Sequence, residues 1–218
     1  MRYLLFDLDG TLINTKEGIV KSVYYALDFL GVTEDEPEKL ERFIGPPLES
    51  SFRDFYQLNE TGVRRAVEKY RERYTKKGQY ECEPYPGIPA LLRKLKECGK
   101  TLFVATSKPG VFAEEILRHH QLLQYFDGIS AATLDGTVSE KPDIIRAVLK
   151  RLPEADLRDV VMIGDRRFDI LGAKECGIKS VGVRYGFPEP GELEKAGAGS
   201  IADTVEQLLE ILLKAGVR

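Results

Sequence analysis

Two aspartates, Asp7 and Asp9, follow an apolar run near the start of the chain, in the stretch LLFDLDGTL at residues 4–12. A run of this kind is expected to be buried, and carboxylates beside it lose hydration unless a cation or a hydrogen-bond donor compensates them. Carboxylates in such a place can hold a metal ion, attack an electrophile or carry a proton. The pair therefore marks a candidate reactive site.

Other polar residues of suitable chemistry follow later apolar runs or begin predicted helices. In open parallel sheets, ligands bind beyond the carboxyl ends of the strands, so we expect these side chains to converge on one rim with the first two acids. They are Thr106, Ser107 and Lys108 after the run at 102–105, Lys141 at a predicted helix start, Asp165 after the run at 160–164, and Asp169 one helical turn later.

The acids of this set predict a metal site. Asp7, Asp9 and Asp165 would repel one another at a common rim unless a cation joined them. Mg²⁺ fits best, because it takes oxygen ligands, typically one or two carboxylates together with water and substrate phosphate. We therefore expect Mg²⁺ as the cofactor.

The same residues favour phosphoryl transfer. Asp7 can attack phosphorus to give an acyl-phosphate, and Asp9 can protonate the leaving alkoxide and later deprotonate the attacking water. Thr106 can donate a hydrogen bond to a phosphate oxygen, and Lys141 can offset negative charge on Asp7 and on the phosphate.

Each supporting residue also has a purely structural interpretation. Thr106 or Ser107 could cap the helix that follows Pro109. Lys141, taken alone, could be a surface lysine, and Asp169 could cap or charge the N-terminus of its own helix.

The elements that must position these residues read as alternating strands and helices. Continuous apolar runs suit strands that helices cover on both faces, and amphipathic helical patterns separate the runs. This alternation predicts an α/β fold with a doubly wound parallel sheet. The runs lie at 3–6, 102–105, 129–132, 160–164 and 181–183.

One segment interrupts the alternation. Residues 15–83 contain roughly four helical patterns and no convincing strand. We therefore expect an all-helical cap at 15–83, inserted into an α/β catalytic core made of residues 1–14 and 84–218.

The ensemble of motifs resembles the haloacid dehalogenase-like hydrolase superfamily. DLDGTL at 7–12, a threonine that ends the second strand, Lys141-Pro142, and GDRRFD at 164–169 are similar to its four motifs, in order across nearly the whole chain. The helical insertion after the first motif resembles the C1-type cap of the phosphoglycolate phosphatase and phosphoglucomutase-like branch. The resemblance implies a Rossmann-like core with an inserted cap.

The resemblance also implies roles for individual residues. Asp7 would be the nucleophile and Asp9 the general acid and base. Mg²⁺ would be bound by Asp7, the main-chain oxygen of Asp9, and Asp165, with Asp169 supporting the metal shell. Thr106 and Lys141 match the phosphate-binding positions of the family, and Ser107 joins them as a candidate where close relatives often carry Asn.

A phosphatase is the activity that these residues favour. Family members that cleave carbon–halogen bonds lack the second acid of the first motif, because a halide leaves without a proton whereas an alkoxide needs one. We expect a Mg²⁺-dependent phosphatase acting on a small phosphate monoester, phosphoglycolate-like or nucleotide-like. A phosphoglucomutase-like sugar phosphate isomerase is one alternative, and a phospho-accepting signalling domain is another from a different class.

Composition limits the partners. The 218 residues carry a net charge of −3, which argues against a nucleic-acid partner. No apolar run reaches the ~18 residues of a membrane span, and the N-terminus lacks the pattern of a secretion signal, so we expect a cytoplasmic protein with no membrane partner. Monomer and dimer both remain open.

Overall fold

The computed structural model describes residues 1–214 and contains strands and helices in regular alternation outside one helical segment. The strands are β1 Tyr3–Phe6, β2 Ile13–Asn14, β3 Glu83–Pro84, β4 Thr101–Pro109, β5 Gly128–Ala132, β6 Val160–Gly164, β7 Lys179–Val183 and β8 Ser200–Ala202. The helices are α1 Lys16–Phe29, α2 Pro37–Glu41, α3 Leu48–Tyr56, α4 Glu60–Lys76, α5 Ile88–Glu97, α6 Gly110–His119, α7 Lys141–Leu149, α8 Arg167–Glu175, α9 Glu192–Ala196 and α10 Val205–Leu213.

Six strands form one parallel sheet in the order β5-β4-β1-β6-β7-β8. The chain builds outward from β1 through β4 to β5, and then returns to the other side of β1 for β6, β7 and β8. The change of direction lies beside β1, and such a switch point is where sheets of this type bind ligands. The α/β fold with a doubly wound parallel sheet, expected from the sequence, is confirmed.

Burial explains why the apolar runs are strands. Leu4, Leu5 and Phe6 of β1 are fully buried, and all five residues of β6 are buried. Strands this apolar need helices on both faces, because either face would otherwise expose hydrocarbon to water.

The register sets Phe6, the last residue of β1, beside Val104 within β4 and beside Ile163 near the end of β6. Asp7 after β1 and Asp165 after β6 therefore emerge at the same end of the sheet. β4 continues to Pro109, so Thr106 lies within this strand and does not end it, contrary to the expectation from the sequence.

The chain divides into two compact units, residues 14–83 and the remainder. The boundaries between the two units fall within the short strands β2 and β3. The first boundary precedes Asn14, one residue before the boundary after Asn14 that was expected from the sequence. The unit at 14–83 contains α1 to α4, of which α1 packs chiefly on α4. Its buried side chains include Val23 and Leu27 of α1 and Tyr70 and Tyr74 of α4, as the helical spacing of apolar residues requires.

Among residues 1–214, no helix combines the length and the apolar character that crossing a membrane would require.

Candidate active site

Three carboxylates meet where β1 and β6 end. Asp7 follows β1, Asp165 follows β6, and Asp169 lies in the first turn of α8. One oxygen of each lies within 4.8 Å of the others, and all three side chains are buried. Like charges held this close in a dry site repel strongly, so a cation must join them for the site to bind an anion.

Lys141, the first residue of α7, supplies one positive charge. Its Nζ lies 3.0 Å from Oδ1 of Asp7 and 2.8 Å from Oδ1 of Asp169, and donates a hydrogen bond of 3.1 Å to the carbonyl of Ala105. Burial alone would lower the pKa of Lys141, but the charges of Asp169 and Asp7 outweigh it and raise that pKa. Lys141 is only 4% exposed, which excludes the surface-lysine interpretation.

The pKa values of Asp165 and Asp169 reflect the negative charge that Lys141 leaves unbalanced. Burial, followed by the charges of Asp169 and Asp7, raises the pKa of Asp165 well above its usual range. Burial raises the pKa of Asp169 to about 6; the charge of Lys141 opposes this rise and that of Asp7 adds to it. Both pKa values are raised, as expected for buried carboxylates whose negative charge is not fully balanced by neighbouring cations.

The donor set fits a magnesium ion. Three carboxylates and one ammonium leave a formal charge of −2. Oδ2 of Asp165 accepts the amide of Phe187 at 2.8 Å, whereas its buried Oδ1 has no hydrogen-bond partner among the described residues. An unpaired carboxylate oxygen beside two further acids is the chemistry that a hard divalent cation prefers.

Asp169 has two functions in this geometry. Its Oδ1 pairs with Lys141, and its Oδ2 accepts the amide of Arg166 at 3.1 Å, the position of an N-terminal helix cap. The structural interpretation of Asp169 as a cap therefore holds alongside its place in the acidic cluster.

The side chain of Asp9 does not join the three clustered carboxylates. Both of its oxygens accept hydrogen bonds from Nζ of Lys108, at 3.0 and 2.9 Å, and both residues are buried. The resemblance assigned the main-chain oxygen of Asp9, not its carboxylate, to the metal, and that assignment stays a prediction. Sequence reasoning placed Lys108 on the same rim as Thr106, after the run at 102–105, but assigned it no role.

Thr106 and Ser107 lie on this rim, but neither side chain caps α6. Pro109 occupies the capping position, and no side chain donates or accepts there. Thr106 is 1% exposed, and its Oγ1 accepts the amide of Lys108 at 3.1 Å; Ser107 is half-buried. Their phosphate-binding role stays a prediction.

The loop after β7 forms a further wall of the site, which sequence reasoning missed. Besides the Phe187 amide on Asp165, it places the hydroxyl of Tyr185 3.1 Å from the carbonyl of Thr11, to which it donates. Gly186 lies between these two contacts. A Cβ on Gly186 would stand 2.2 Å from the carbonyl oxygen of Gly10 and 2.5 Å from Cβ of Asp165.

Glu192, at the start of α9, anchors that loop. It accepts the amides of Glu189 at 2.7 Å and of Arg167 at 2.9 Å, and it pairs with the Arg166 guanidinium at 3.1 Å. Because Arg166 and Arg167 directly follow Asp165, this buried pair ties the loop after β7 to the loop that carries two of the acids.

Two further glycines stand against the acids. A Cβ on Gly10 would lie 2.1 Å from Oδ2 of Asp165, and one on Gly164 would lie 2.1 Å from Cγ of Asp169. Gly10 also has φ of +75°, a conformation that other residues adopt only under strain. The carboxylates occupy space that any larger residue at these positions would take.

Comparisons with known proteins identify the family of the chain. The model of the family described as haloacid dehalogenase-like hydrolase matches residues 4–183. A 5'-nucleotidase from Pseudomonas aeruginosa is 47% identical over 88% of each chain. Tyrosine-protein kinase PtkA from Mycobacterium tuberculosis is 35% identical, with 96% of this chain and 72% of that protein covered.

A phosphoglycolate phosphatase from Agrobacterium fabrum is 30% identical over 85% of this chain and 81% of its own. Among solved structures, that of a predicted phosphatase from Clostridium acetobutylicum superposes with a TM-score of 0.94 at 43% identity and covers 98% of this chain and 99% of its own.

Proposed function

Because the chain belongs to the haloacid dehalogenase-like hydrolase family and is a phosphatase of that family, we propose that its reaction requires Mg²⁺ and passes through an aspartyl-phosphate on Asp7. The substrates are nucleoside 5'-monophosphates. The observation that carries the proposal is the buried cluster of Asp7, Asp165 and Asp169, in which, among the described residues, the Lys141 ammonium pairs with Asp7 and Asp169 only.

The first half-reaction transfers the phosphoryl group to the protein. An Asp7 carboxylate oxygen attacks phosphorus, and the bond from phosphorus to the nucleoside oxygen breaks. Asp9, ionised in its pair with Lys108 in the ligand-free protein, must be protonated in the substrate complex and gives that proton to the leaving alkoxide. In the second half-reaction Asp9 takes a proton from water, the water oxygen attacks phosphorus, and the bond to Asp7 breaks to release inorganic phosphate.

The other residues handle charge. Asp7, Asp165 and the main-chain oxygen of Asp9 would hold Mg²⁺, which when bound offsets the charge of the carboxylates and of the transferred phosphoryl group. Lys141 contributes a fixed positive charge beside Asp7, and Thr106 and Ser107 donate hydrogen bonds to phosphoryl oxygens. Asp169 orients Lys141 and closes the start of α8.

We rank nucleoside 5'-monophosphates above phosphoglycolate as candidate substrates, because the relative named 5'-nucleotidase has the higher sequence identity to this chain. The relative named 5'-nucleotidase is 47% identical to this chain, and the one named phosphoglycolate phosphatase is 30% identical. The leaving group of a nucleoside 5'-monophosphate is a poor one, a primary alkoxide, and so needs the proton that Asp9 supplies.

The unit at 14–83 is proposed as a cap that selects the substrate, as in the family branch that the sequence resembles. A cytoplasmic location, a small-molecule substrate as the partner, and no requirement for nucleic acid or membrane complete the proposal.

A substrate panel tests this function. The purified protein is incubated with AMP, GMP, CMP, UMP, 2-phosphoglycolate and β-glucose 1-phosphate, with Mg²⁺ or with EDTA, and released phosphate is measured. We expect the highest kcat/KM for a nucleotide and no turnover in EDTA. Isomerised sugar phosphate without free phosphate would instead identify a mutase, and a stable phosphoprotein without turnover would identify a signalling domain.

A further inference from the structure

Tyr85 is held against the loop that carries the proposed nucleophile. Its backbone amide donates to the carbonyl of Leu12 at 3.1 Å, and its ring meets the ring of Tyr185 edge to face, with the centroids 5.0 Å apart. Tyr185 in turn donates its hydroxyl proton to Thr11. Both tyrosines are thus fixed to the turn that follows Asp9.

The two tyrosine hydroxyls differ in their hydrogen bonding. That of Tyr185 is satisfied by the Thr11 carbonyl, whereas the buried hydroxyl oxygen of Tyr85 has no hydrogen-bond partner among residues 1–214. Burying an unpaired hydroxyl is unfavourable, and such groups in folded proteins usually have a partner. The Tyr85 hydroxyl is therefore an unused donor on a residue held beside the turn that follows Asp9.

Neither of the acids whose charge acts on Tyr85 accepts its hydroxyl proton, and Oδ1 of Asp165 is left for the proposed cation. Lys108 takes both carboxylate oxygens of Asp9, and the Phe187 amide takes Oδ2 of Asp165. Burial, followed by the charges of Asp165 and Asp9, raises the pKa of Tyr85, so its hydroxyl keeps its proton and acts as a donor.

We propose that Tyr85 is a phosphate-binding residue, whose hydroxyl donates a hydrogen bond to a phosphoryl oxygen of the bound substrate. This inference rests on the proposed phosphatase function. A phosphoryl oxygen carries lone pairs and no proton, which is what an unused donor requires. A water bound to a cation is a poorer match, because its lone pair faces the metal and it offers protons instead.

The substitution Tyr85→Phe tests this role, because it removes the hydroxyl and keeps the ring. No hydrogen bond to the Tyr85 hydroxyl exists within residues 1–214 to be lost, so we expect the midpoint of thermal unfolding to stay the same or to rise. The matched control Tyr185→Phe removes the bond to Thr11, and its midpoint should fall. A purely structural role for the Tyr85 hydroxyl would lower both midpoints and overturn the proposal.

Ligand affinity gives the second readout. By calorimetry, orthovanadate in the presence of Mg²⁺ should bind Tyr85→Phe about 10- to 100-fold more weakly than wild type, the loss typical of a hydrogen bond to a charged group. KM for the best substrate should rise with it. The Kd of Mg²⁺ alone should not change.

Three further results would overturn the inference. Unchanged vanadate affinity would show that the hydroxyl makes no contact with the phosphoryl group. An equal loss of affinity for Mg²⁺ alone would assign the hydroxyl to the metal site. If wild type itself neither binds vanadate nor hydrolyses any phosphate monoester, the proposed function has failed first, which separates that failure from a failure at Tyr85.

Discussion

Nζ of Lys108 donates to both carboxylate oxygens of Asp9, at 3.0 and 2.9 Å, across 99 residues of sequence. Both side chains are almost fully buried, at 5% and 11% exposure. A buried ion pair of this kind contributes little net stability, because desolvation offsets the attraction, but it holds each partner in one place. Lys108 thus fixes the orientation of the carboxylate that we assign to proton transfer.

Removing Lys108 should therefore damage both stability and turnover. Lys108→Met keeps the volume but leaves a buried carboxylate unpaired, which should lower the unfolding free energy by about 3–5 kcal/mol. We expect kcat to fall by at least about 10²-fold, in line with impaired acid–base catalysis. Urea unfolding and phosphate release measure the two effects.

Lys94→Met serves as the control, because Lys94 is an exposed residue of α5 paired only weakly with Glu97, at 3.8 Å. It should change neither quantity. The double variant Asp9→Asn/Lys108→Met should recover part of the stability that Lys108→Met loses, and strict additivity of the two single substitutions would argue against the coupling.

The acidic cluster makes a metal-dependent prediction. In the presence of EDTA, Asp165→Asn removes one of three neighbouring negative charges and should raise the unfolding free energy, by on the order of 2 kcal/mol. Mg²⁺ should stabilise wild type and not Asp165→Asn. Thermal unfolding with and without Mg²⁺ measures this, with the exposed Asp54→Asn as the control. A variant that Mg²⁺ still stabilises like wild type would exclude Asp165 as a ligand.

The same cluster predicts how the stability of the metal-free protein depends on pH. The folded-state pKa of Asp169 is raised from 3.8 to about 6, and that of Asp165 is also raised. Between those pH values the folded protein binds more protons than the unfolded chain, so the unfolding free energy must fall as the pH rises. Urea unfolding in EDTA should show this fall from about pH 4 through pH 6, and a smaller fall in Asp165→Asn. A rise of the same size would contradict the raised pKa values.

Substitutions of Asp7 and of Asp9 should have different effects on the reaction. Asp7→Asn removes the proposed nucleophile and should abolish both turnover and covalent labelling by ³²P-substrate. Asp9→Asn should lower turnover by about 10²-fold or more, since acid–base help is lost. With p-nitrophenyl phosphate, whose leaving group needs less protonation, the deficit of Asp9→Asn should shrink. Near-normal activity in Asp7→Asn would disprove the covalent route.

The cap assignment is tested by excision. Replacing Lys16–Glu83 with a short Gly/Ser linker leaves every residue of the acidic cluster in place, so slow hydrolysis of p-nitrophenyl phosphate should survive. Discrimination among natural monoesters should collapse toward a common low rate. Circular dichroism first establishes that the shortened chain folds. Retention of the full-length substrate ranking would place specificity in the core loops.

Much of the fold was predictable because buried strands require apolar runs that can be recognised in the sequence. The runs behind β1, β4, β5, β6 and β7 are continuous and apolar, as strands covered on both faces must be. β8 was missed because it is an edge strand of only three residues, Ser200–Ala202, of which one is fully buried. A segment so short carries no periodicity.

The candidate site was predictable only in part. Asp7, Asp165 and Lys141 were expected at one rim because strand ends and helix starts of a parallel sheet lie there. The pairing of Lys108 with Asp9, and the contacts of Tyr185 and Phe187, depend on the path of loops and on register. Neither leaves a residue pattern, so no spacing rule could have identified these contacts.

The glycines behind the carboxylates have a consequence for how this protein tolerates mutation. Gly10, Gly164 and Gly186 bear no reactive group, yet each occupies a point where an added methyl would collide with the acidic cluster or its loop. In a saturation library selected for phosphatase activity, these three positions should be as intolerant as Asp7 itself. Selection would then identify as essential three positions at which a side chain must be absent. The pattern of intolerant positions would therefore report the shape of the site as well as its chemistry.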